Sequence, residues 1–338
     1  MMRLPPFEYL TPRTLPEAVE MKAKYDSEAM YVSGGTDLYP KMKRRQFTPE
    51  GLISLNRIDE LCGVANGDGM TLGAGLTLTE VANHLEIGCH YPALARAAGL
   101  VSSPALRNVG TIGGNLCVDT RCNYYDQTYQ WRKALGFCLK KSGDTCWVAL
   151  SSPRCLAVSS SDCAPVAIAL DAQVRLVGPE GERTIPVSAL YNNDGREYLL
   201  KSPDEILVSI HLPNREDWKM AYWKMRRRGS IDFPILGVAV ALRLDVDGCC
   251  SEARIVLGAV ASQPLIADEA ASLLVGKRIT PELVQLAADE AYKLAKPLDN
   301  TDMALGYRKK MARVYIAGAL SEAAGLSTER GITSAMVH

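Results

Sequence analysis

The order of apolar and polar positions in residues 1–100 predicts a small α/β unit. Apolar residues at helical spacing predict a helix from Leu15 to Tyr25, with Thr14 as its N-cap and Pro16 in its first turn, two residue types favoured at those places. Short apolar runs between turn residues predict strands. The predicted strands are 30–32, 53–55 and 70–72, and the further helices are 38–45, 81–85 behind Thr79, and 93–100.

The pattern beyond residue 160 predicts mostly strands and then mostly helices. Apolar runs predict strands at 166–170, 174–177, 206–212, 221–225, 235–244 and 252–259, and the chain after them is rich in Ala and Leu. The change of pattern near residue 216 marks a boundary before an α+β unit. Between residues 115 and 166 no period is evident, and so long an irregular stretch inside a compact domain is usually functional.

Charge and hydropathy argue against two classes of partner. The 338 residues carry 38 Lys and Arg and 38 Asp and Glu, so the formal net charge is zero. The basic clusters at 41–45 and 224–228 are short, and we interpret them as solvated faces. No stretch approaches the ~18 apolar residues of a membrane span, and the start of the chain lacks the apolar core of a signal peptide. We therefore expect a soluble, cytoplasmic protein that binds neither nucleic acid nor a membrane.

Two glycine loops have the composition of a phosphate site. Ser-Gly-Gly-Thr-Asp at 33–37 follows a predicted strand and opens a helix, and Thr-Ile-Gly-Gly-Asn at 111–115 repeats the same chemistry. Glycines let backbone N–H groups approach a phosphate closely. A single such loop is more often a tight connection, and neither matches the Rossmann or Walker pattern. Together the two loops suit a diphosphate held from both sides.

Six of the ten cysteines are concentrated in one segment: Cys117, Cys122, Cys138, Cys146, Cys155 and Cys163. In a reducing compartment they are expected to be thiols or metal ligands rather than disulfides. No two of them form the Cys-x-x-Cys pair of zinc modules, so the spacing favours an iron–sulfur cluster over zinc or unligated core thiols. The aromatic residues between them wrap a cluster or form a local core: Tyr124, Tyr125, Tyr129, Trp131, Phe137 and Trp147.

Together with Ser-Asp-Cys-Ala-Pro at 161–165, the two glycine loops resemble the FAD-binding subunits of the xanthine dehydrogenase family. The resemblance covers nearly the whole chain. It implies an α+β fold with a FAD-binding domain of the vanillyl-alcohol-oxidase type in two subdomains, followed by a C-terminal α+β domain with an antiparallel sheet and helices. The implied limits are 1–57 and 58–216 for the two subdomains, with an iron–sulfur insert at about 119–158, and 217–338 for the C-terminal domain.

The resemblance also implies which residues contact FAD. The matching positions are Tyr31, Val32, Ser33, Gly34, Gly35, Thr36, Asp37, Leu38, Thr111, Ile112, Gly113, Gly114, Asn115 and Asp162. Val101, Leu207 and Lys224 also stand where relatives touch the cofactor, although core strand residues and a surface lysine are equally good interpretations of them. The implied chemistry of this chain is electron transfer, so no catalytic acid, base or nucleophile is expected.

The cysteine segment is an insertion relative to the family, whose second glycine loop runs into Ser-Asp-x-x-Pro after a short connection. Cys117 and Cys163 belong to the framework on either side. The four remaining cysteines, Cys122, Cys138, Cys146 and Cys155, match the four thiolates that a [4Fe–4S] cluster needs.

Within the family, such an insert is typical of the 4-hydroxybenzoyl-CoA reductases of anaerobic aromatic degradation. The resemblance then implies an oxidoreductase subunit in a doubled heterotrimer. Its partners would be a molybdopterin-containing large subunit and a [2Fe–2S] small subunit, with ferredoxin as the electron donor. The alternative is the FAD subunit of an oxidising molybdenum hydroxylase that acts on a xanthine, aldehyde or nicotinate substrate.

Overall fold

A computed structural model describes residues 3–326 of the chain. Residues 1–2 of the expected first subdomain and 327–338 of the expected C-terminal domain therefore lie outside the described residues. The described chain forms three β-sheets, each built from one continuous stretch of sequence and flanked by helices. The predicted α+β fold is confirmed.

The N-terminal unit is a parallel three-stranded sheet with two helices. Its elements are β1 (Glu8–Leu10), α1 (Leu15–Tyr25), β2 (Ala29–Val32), α2 (Leu38–Lys43) and β3 (Gly51–Ser54), with the strand order β1-β3-β2. The helix predicted over 15–25 is confirmed, and the Thr14 side chain caps it by accepting the N–H of Glu17 at 3.3 Å. Because β2 ends at Val32, the first glycine loop starts at the carboxyl edge of this sheet.

The central unit is a five-stranded antiparallel sheet covered by short helices. The strand order is β4-β5-β8-β6-β7. The elements are β4 (Val64–Gly67), β5 (Gly69–Gly73), α3 (Leu78–Asn83), α4 (Leu85–His90), α5 (Pro92–Leu100), α6 (Pro104–Arg107), α7 (Ile112–Leu116), α8 (Tyr129–Ala134), α9 (Cys163–Ala169), β6 (Gln173–Gly178), β7 (Gly181–Pro186) and β8 (Ile206–Leu212).

The C-terminal unit is a four-stranded antiparallel sheet with helices on one face. Its elements are β9 (Trp218–Met225), β10 (Leu236–Leu244), β11 (Cys250–Gly258), β12 (Leu265–Ile266), α10 (Asp268–Leu274), α11 (Pro281–Ala291) and α12 (Leu305–Ala323). Side chains alternate across a strand: Trp223 packs toward α12, edge-on to Tyr315, whereas Tyr222 joins the core of the central unit. The two units therefore pack together through this sheet.

Two sequence predictions at the element level are wrong. The apolar run 166–170 is not a strand: residues 166–169 lie in α9 and Leu170 is its C-cap, and every residue of α9 is buried. A helix that is apolar on all sides has no amphipathic period, so the run looked like a buried strand. The cap of α3 is Thr77 rather than Thr79: the Thr77 hydroxyl accepts the N–H of Glu80 at 3.2 Å, while the Glu80 carboxylate accepts the N–H of Thr77 at 2.7 Å.

The insert is mostly irregular, and α8 is its one α-helix among the described residues. Its two ends meet in a reciprocal pair of backbone hydrogen bonds of 2.8 Å between Arg121 and Val158. The insert is therefore a loop closed at its base by an antiparallel bridge. Further hydrogen bonds join it to the N-terminal and C-terminal units: Gln46 donates to the carbonyl of Tyr125 at 2.7 Å, and the N–H of Asn123 donates to the carbonyl of Asn300 at 3.0 Å.

No helix in residues 3–326 has the length and apolar character needed to cross a membrane.

Candidate cofactor groove and cysteine pocket

The two glycine loops line one groove of about 620 Å³. The whole first segment, residues 31–38, lines it, together with Val101, Thr111, Gly114 and Asn115 of the second side. A Cβ atom on Gly34 would lie 1.9 Å from the carbonyl oxygen of Val109. Only glycine permits this approach, so the close contact between the loops depends on Gly34.

The first loop has free backbone donors. The N–H groups of residues 34–37 make no hydrogen bond to any other part of the described chain, although the loop opens α2. Backbone N–H groups left unpaired at a glycine loop form an anion site. The geometry of this loop therefore suits a phosphate, as its sequence predicts.

The second loop differs from the sequence expectation, because the amides of residues 112–115 are already used. Ile112 and Gly113 donate to backbone carbonyls of the strand-to-helix connection at 2.9 Å, and Gly114 donates to the Thr111 hydroxyl at 3.2 Å. Asn115 instead fixes the loop to the start of α9, since its side-chain oxygen accepts the N–H of Cys163 at 3.1 Å and the Ser161 hydroxyl at 2.8 Å. This loop contributes shape and side chains to the groove rather than a second set of free donors.

Three buried polar atoms that belong to groove residues have no hydrogen-bond partner within the described chain. They are Arg121 Nε, Ser160 Oγ and Asn300 Oδ1. An unpartnered buried polar atom costs roughly 1–3 kcal/mol, so these three groove residues are candidate contacts for a polar ligand.

Arg121 joins three parts of the chain at the groove. Its guanidinium lies 4.1 Å from the centre of the Phe233 ring, pairs with Asp37 of the first glycine loop, and reaches Asp126 at 3.5 Å. Burial alone would lower the pKa of Arg121, but attraction to the two carboxylates outweighs it and raises the pKa. Arg121, Phe233 and Asn300 are groove residues that no sequence pattern predicted. Phe233 and Asn300 arrive from the C-terminal unit by tertiary packing, for which no local sequence signal exists.

Three predicted cofactor positions pack into the protein instead of lining the groove. Ile112 is buried in the central core, and a Cβ on Gly113 would lie 2.7 Å from the Cβ of Ala74. Leu207 is buried in β8. Contact between these residues and a cofactor stays a prediction.

Asp162 and Lys224, also predicted to contact the cofactor, form a buried ion pair of 2.9 Å outside the groove lining. Tyr222 donates a hydrogen bond of 2.8 Å to the same carboxylate, and Lys224 donates to the carbonyl of Leu100. Burial raises the pKa of Asp162 despite the opposing attraction of Lys224. The interpretation of Lys224 as a surface lysine is wrong, since its side chain is fully buried. The pair ties α9 to β9, whereas Arg227 and Arg228 of the same basic cluster are exposed, as expected for a solvated face.

The four insert cysteines come together at one buried pocket. Cys122, Cys138, Cys146 and Cys155 all line it and are all buried, with the other lining residues being Tyr124, Tyr125, Leu139, Lys140, Trp147, Val148 and Ala157. The two framework cysteines do not join them: Cys117 lines the cofactor groove and Cys163 is buried in α9.

The four cysteines line the pocket without the arrangement of a single-ion site. Within residues 3–326, no group of three or more His, Cys, Asp or Glu side chains is placed to hold one metal ion. Burial raises the pKa of Cys122 to about 12 and that of Cys155 to about 11. Cys122 lines both the pocket and the groove, so the two sites are adjacent.

Comparison with known proteins gives consistent matches along the chain. Residues 5–215 match the family described as the FAD binding domain in molybdopterin dehydrogenase, and residues 220–323 match the CO dehydrogenase flavoprotein C-terminal domain. The carbon monoxide dehydrogenase medium chain of Hydrogenophaga pseudoflava is 30% identical over 94% of this chain and 97% of its own length. The nicotinate dehydrogenase FAD-subunit of Eubacterium barkeri is 26% identical over 86% of this chain and 88% of its own.

The fold of this chain is similar to that of a solved structure from the same family. A solved carbon monoxide dehydrogenase from Hydrogenophaga pseudoflava, which lacks the Mo-pyranopterin moiety of its cofactor, superimposes with a TM-score of 0.78 at 30% identity. The match covers 95% of this chain and 98% of that chain.

Proposed function

This chain belongs to the family of FAD-binding subunits of molybdopterin dehydrogenases, and from that premise we propose that it passes electrons between FAD and a [4Fe–4S] cluster held by its insert. FAD exchanges one or two electrons and the cluster exchanges one. The observation that carries the proposal is the convergence of four buried cysteines on a pocket that shares Cys122 with the groove.

The groove residues suit FAD by their donors and shape. The free N–H groups of residues 34–37 would bind the diphosphate, because they are unpaired donors at the start of a helix. The unpartnered atoms of Arg121, Ser160 and Asn300 would complete the polar contacts. Gly114 presents an open surface, since a Cβ there would meet only the Thr111 hydroxyl within 4 Å, at 3.0 Å.

The donor set of the pocket suits a cluster better than it suits zinc. A tetrahedral zinc site needs four sulfur atoms about 2.3 Å from one ion, whereas a [4Fe–4S] cluster takes each thiolate on a different iron and so needs a wider ring of sulfur atoms. Four buried cysteines surround one pocket here without forming a single-ion arrangement. We therefore assign Cys122, Cys138, Cys146 and Cys155 as the proposed cluster ligands.

The proposed enzyme is a 4-hydroxybenzoyl-CoA reductase. In it this chain would receive electrons from ferredoxin through the insert, and FAD would pass them toward a molybdopterin-containing large subunit and a [2Fe–2S] small subunit. The insert supports this choice, because an additional one-electron centre beside the flavin suits a one-electron donor.

A second candidate is the FAD subunit of an oxidising molybdenum hydroxylase. The names of the relatives favour it, because the chains matched above belong to carbon monoxide and nicotinate dehydrogenases. In that enzyme electrons would enter FAD from the partner subunits, and the insert would have no assigned role.

The cluster is tested by metal analysis of the complex, purified anaerobically with its partner subunits. We expect about four irons and four acid-labile sulfides per copy of this chain beyond those of the partners. Cys138→Ser should lower that iron, while Cys163→Ser, a change at a buried framework cysteine, should leave it unchanged. Stoichiometric zinc without the additional iron would contradict the proposal.

The direction of the reaction is tested through the flavin absorbance of the same complex. Adding 4-hydroxybenzoyl-CoA to the reduced complex should reoxidise FAD if the enzyme is the reductase. If nicotinate, xanthine or an aldehyde instead reduces the oxidised complex while 4-hydroxybenzoyl-CoA has no effect, the second candidate is correct.

A further inference from the structure

A buried ion pair lies between the groove and the cysteine pocket. Asp119 lines the groove and Lys140 lines the pocket, and their charged atoms are 2.7 Å apart with side chains only 6% and 5% exposed. The other carboxylate oxygen of Asp119 accepts a hydrogen bond from Lys41, whose side chain is fully buried. The interpretation of residues 41–45 as a solvated basic face is therefore wrong at Lys41.

The charge of Lys140 is held in place. Its ammonium group donates to Asp119, to the Thr120 hydroxyl at 2.7 Å and to the carbonyl of Gly195. The centre of the Tyr125 ring lies 5.0 Å from the same nitrogen. With its three protons directed to three acceptors, the side chain has no freedom to move its charge toward solvent.

Asp119 is ionised. Burial alone would raise its pKa, but attraction to Lys140 and Lys41 and hydrogen bonds from both lysines outweigh burial and lower the pKa. The group thus joins one carboxylate to two lysines. Burial lowers the pKa of Lys41, and the Asp126 carboxylate lies 4.0 Å from its ammonium group.

A fixed positive charge raises the electron affinity of a nearby redox centre, and a fixed negative charge lowers it. An electron that arrives at the pocket is attracted by Lys140, and an electron that arrives in the groove is repelled by Asp119. Burial makes both effects larger than at a surface, because solvent and salt screen them less. At about 10 Å and an effective dielectric constant of about 20, one unit charge changes an equilibrium constant by roughly tenfold.

We propose that Lys140 raises the reduction potential of the cluster and that Asp119 lowers the reduction potential of the flavin. The part about Lys140 rests on the proposed cluster, whereas the part about Asp119 rests on the proposed binding of FAD in the groove and not on the cluster. Both residues are positioning residues, since neither has to touch a reacting atom. The pair would set the difference in electron affinity between the two centres.

The test is a redox titration of the anaerobic complex, with the cluster followed by electron paramagnetic resonance and the flavin by absorbance. Lys140→Met should lower the equilibrium constant for one-electron reduction of the cluster about tenfold, which is about 59 mV. Asp119→Asn should raise the flavin potential and also raise that of the cluster. The matched control is Lys141→Met, which removes the same charge from an exposed neighbour and should change neither potential.

The double variant Lys140→Met with Asp119→Asn restores the net charge of the group, so its cluster potential should return toward the original value. A purely structural role would not produce opposite shifts in the two single variants. If Lys140→Met fails to assemble, Lys140→Gln removes the same charge with a polar side chain and should show the same shift.

An unchanged cluster potential in a Lys140→Met complex with full iron would overturn the part about Lys140. An unchanged or lower flavin potential in Asp119→Asn would overturn the part about Asp119. If the unmodified complex lacks the additional iron, the proposed cluster itself is wrong, and the flavin titration of Asp119→Asn still decides the other part.

Discussion

At the scale of single residues, two adjacent glycines have different surroundings. Gly113 faces the protein, where a Cβ would lie 2.8 Å from the carbonyl oxygen of Ala74, whereas Gly114 lines the groove with a single neighbour near its Cβ position. A side chain at residue 113 should therefore lower stability, whereas a side chain at residue 114 should lower cofactor binding.

We expect Gly114→Val to leave the subunit folded and assembled but to lower its FAD content at least tenfold, because the branched side chain occupies the groove. Flavin released from the purified complex by denaturation gives the measurement. Gly88→Val is the control, since a Cβ there meets nothing within 4 Å. Full flavin occupancy in Gly114→Val would mean that the second loop does not border the cofactor.

Lys224→Met should destabilise the protein through the buried pair. Removing the lysine leaves the Asp162 carboxylate without its cation, a change that costs about 3–5 kcal/mol in buried pairs. The thermal unfolding temperature of the complex should fall, and chains that remain folded should keep FAD, because neither residue lines the groove. Loss of FAD without loss of stability would instead show that Lys224 contacts the cofactor.

The parts of the site that could be predicted are those marked by short sequence patterns. The glycine loops and the clustered cysteines are short sequence patterns, and the structure brings the four insert cysteines to one pocket. Arg121, Phe233 and Asn300 have no such pattern, because they become neighbours only when the C-terminal unit packs on the groove. The burial of Lys41 and Lys224 in ion pairs could not be predicted either, because their partners Asp119 and Asp162 are far away in sequence.

At the scale of elements, the insert is closed at its base. Arg121 and Val158 form a reciprocal backbone pair, so a two-residue turn can join them. Arg121 should be kept, because it lines the groove and pairs with Asp37.

We therefore expect that replacing residues 122–157 by Asn-Gly leaves a chain that folds and binds FAD. Reduction of its flavin by a small dye should proceed at the normal rate, while reduction by ferredoxin should slow at least tenfold. Stopped-flow absorbance gives both rates. Equal ferredoxin rates with and without the insert would remove the insert from the electron path.

The element predictions failed where tertiary burial erased the periodic signal. The amphipathic helix α1 and the strand β8 were predicted with their observed limits. Helix α9 was predicted as a strand, because it is enclosed by the central core and the C-terminal sheet and is apolar on every side. The irregular course of the insert was expected. The way it folds around a pocket could not be predicted, because the segment has no hydrophobic periodicity.

At the scale of the whole molecule, three sheets pack so that the groove lies where the N-terminal and central units meet the C-terminal unit. Groove residues come from all three units and extend from Met30 to Thr301, so the site forms only when the three units pack together. The expected domain limits after residues 57 and 216 stay a prediction.

The central claim is that this chain adds a [4Fe–4S] cluster to a FAD-binding subunit of the molybdopterin dehydrogenase family. Its most direct test is the iron content of two anaerobically purified complexes, one with the natural chain and one in which Asn-Gly replaces residues 122–157. The account predicts a difference of about four irons per copy of the chain at equal FAD content. Equal iron in the two complexes would contradict it.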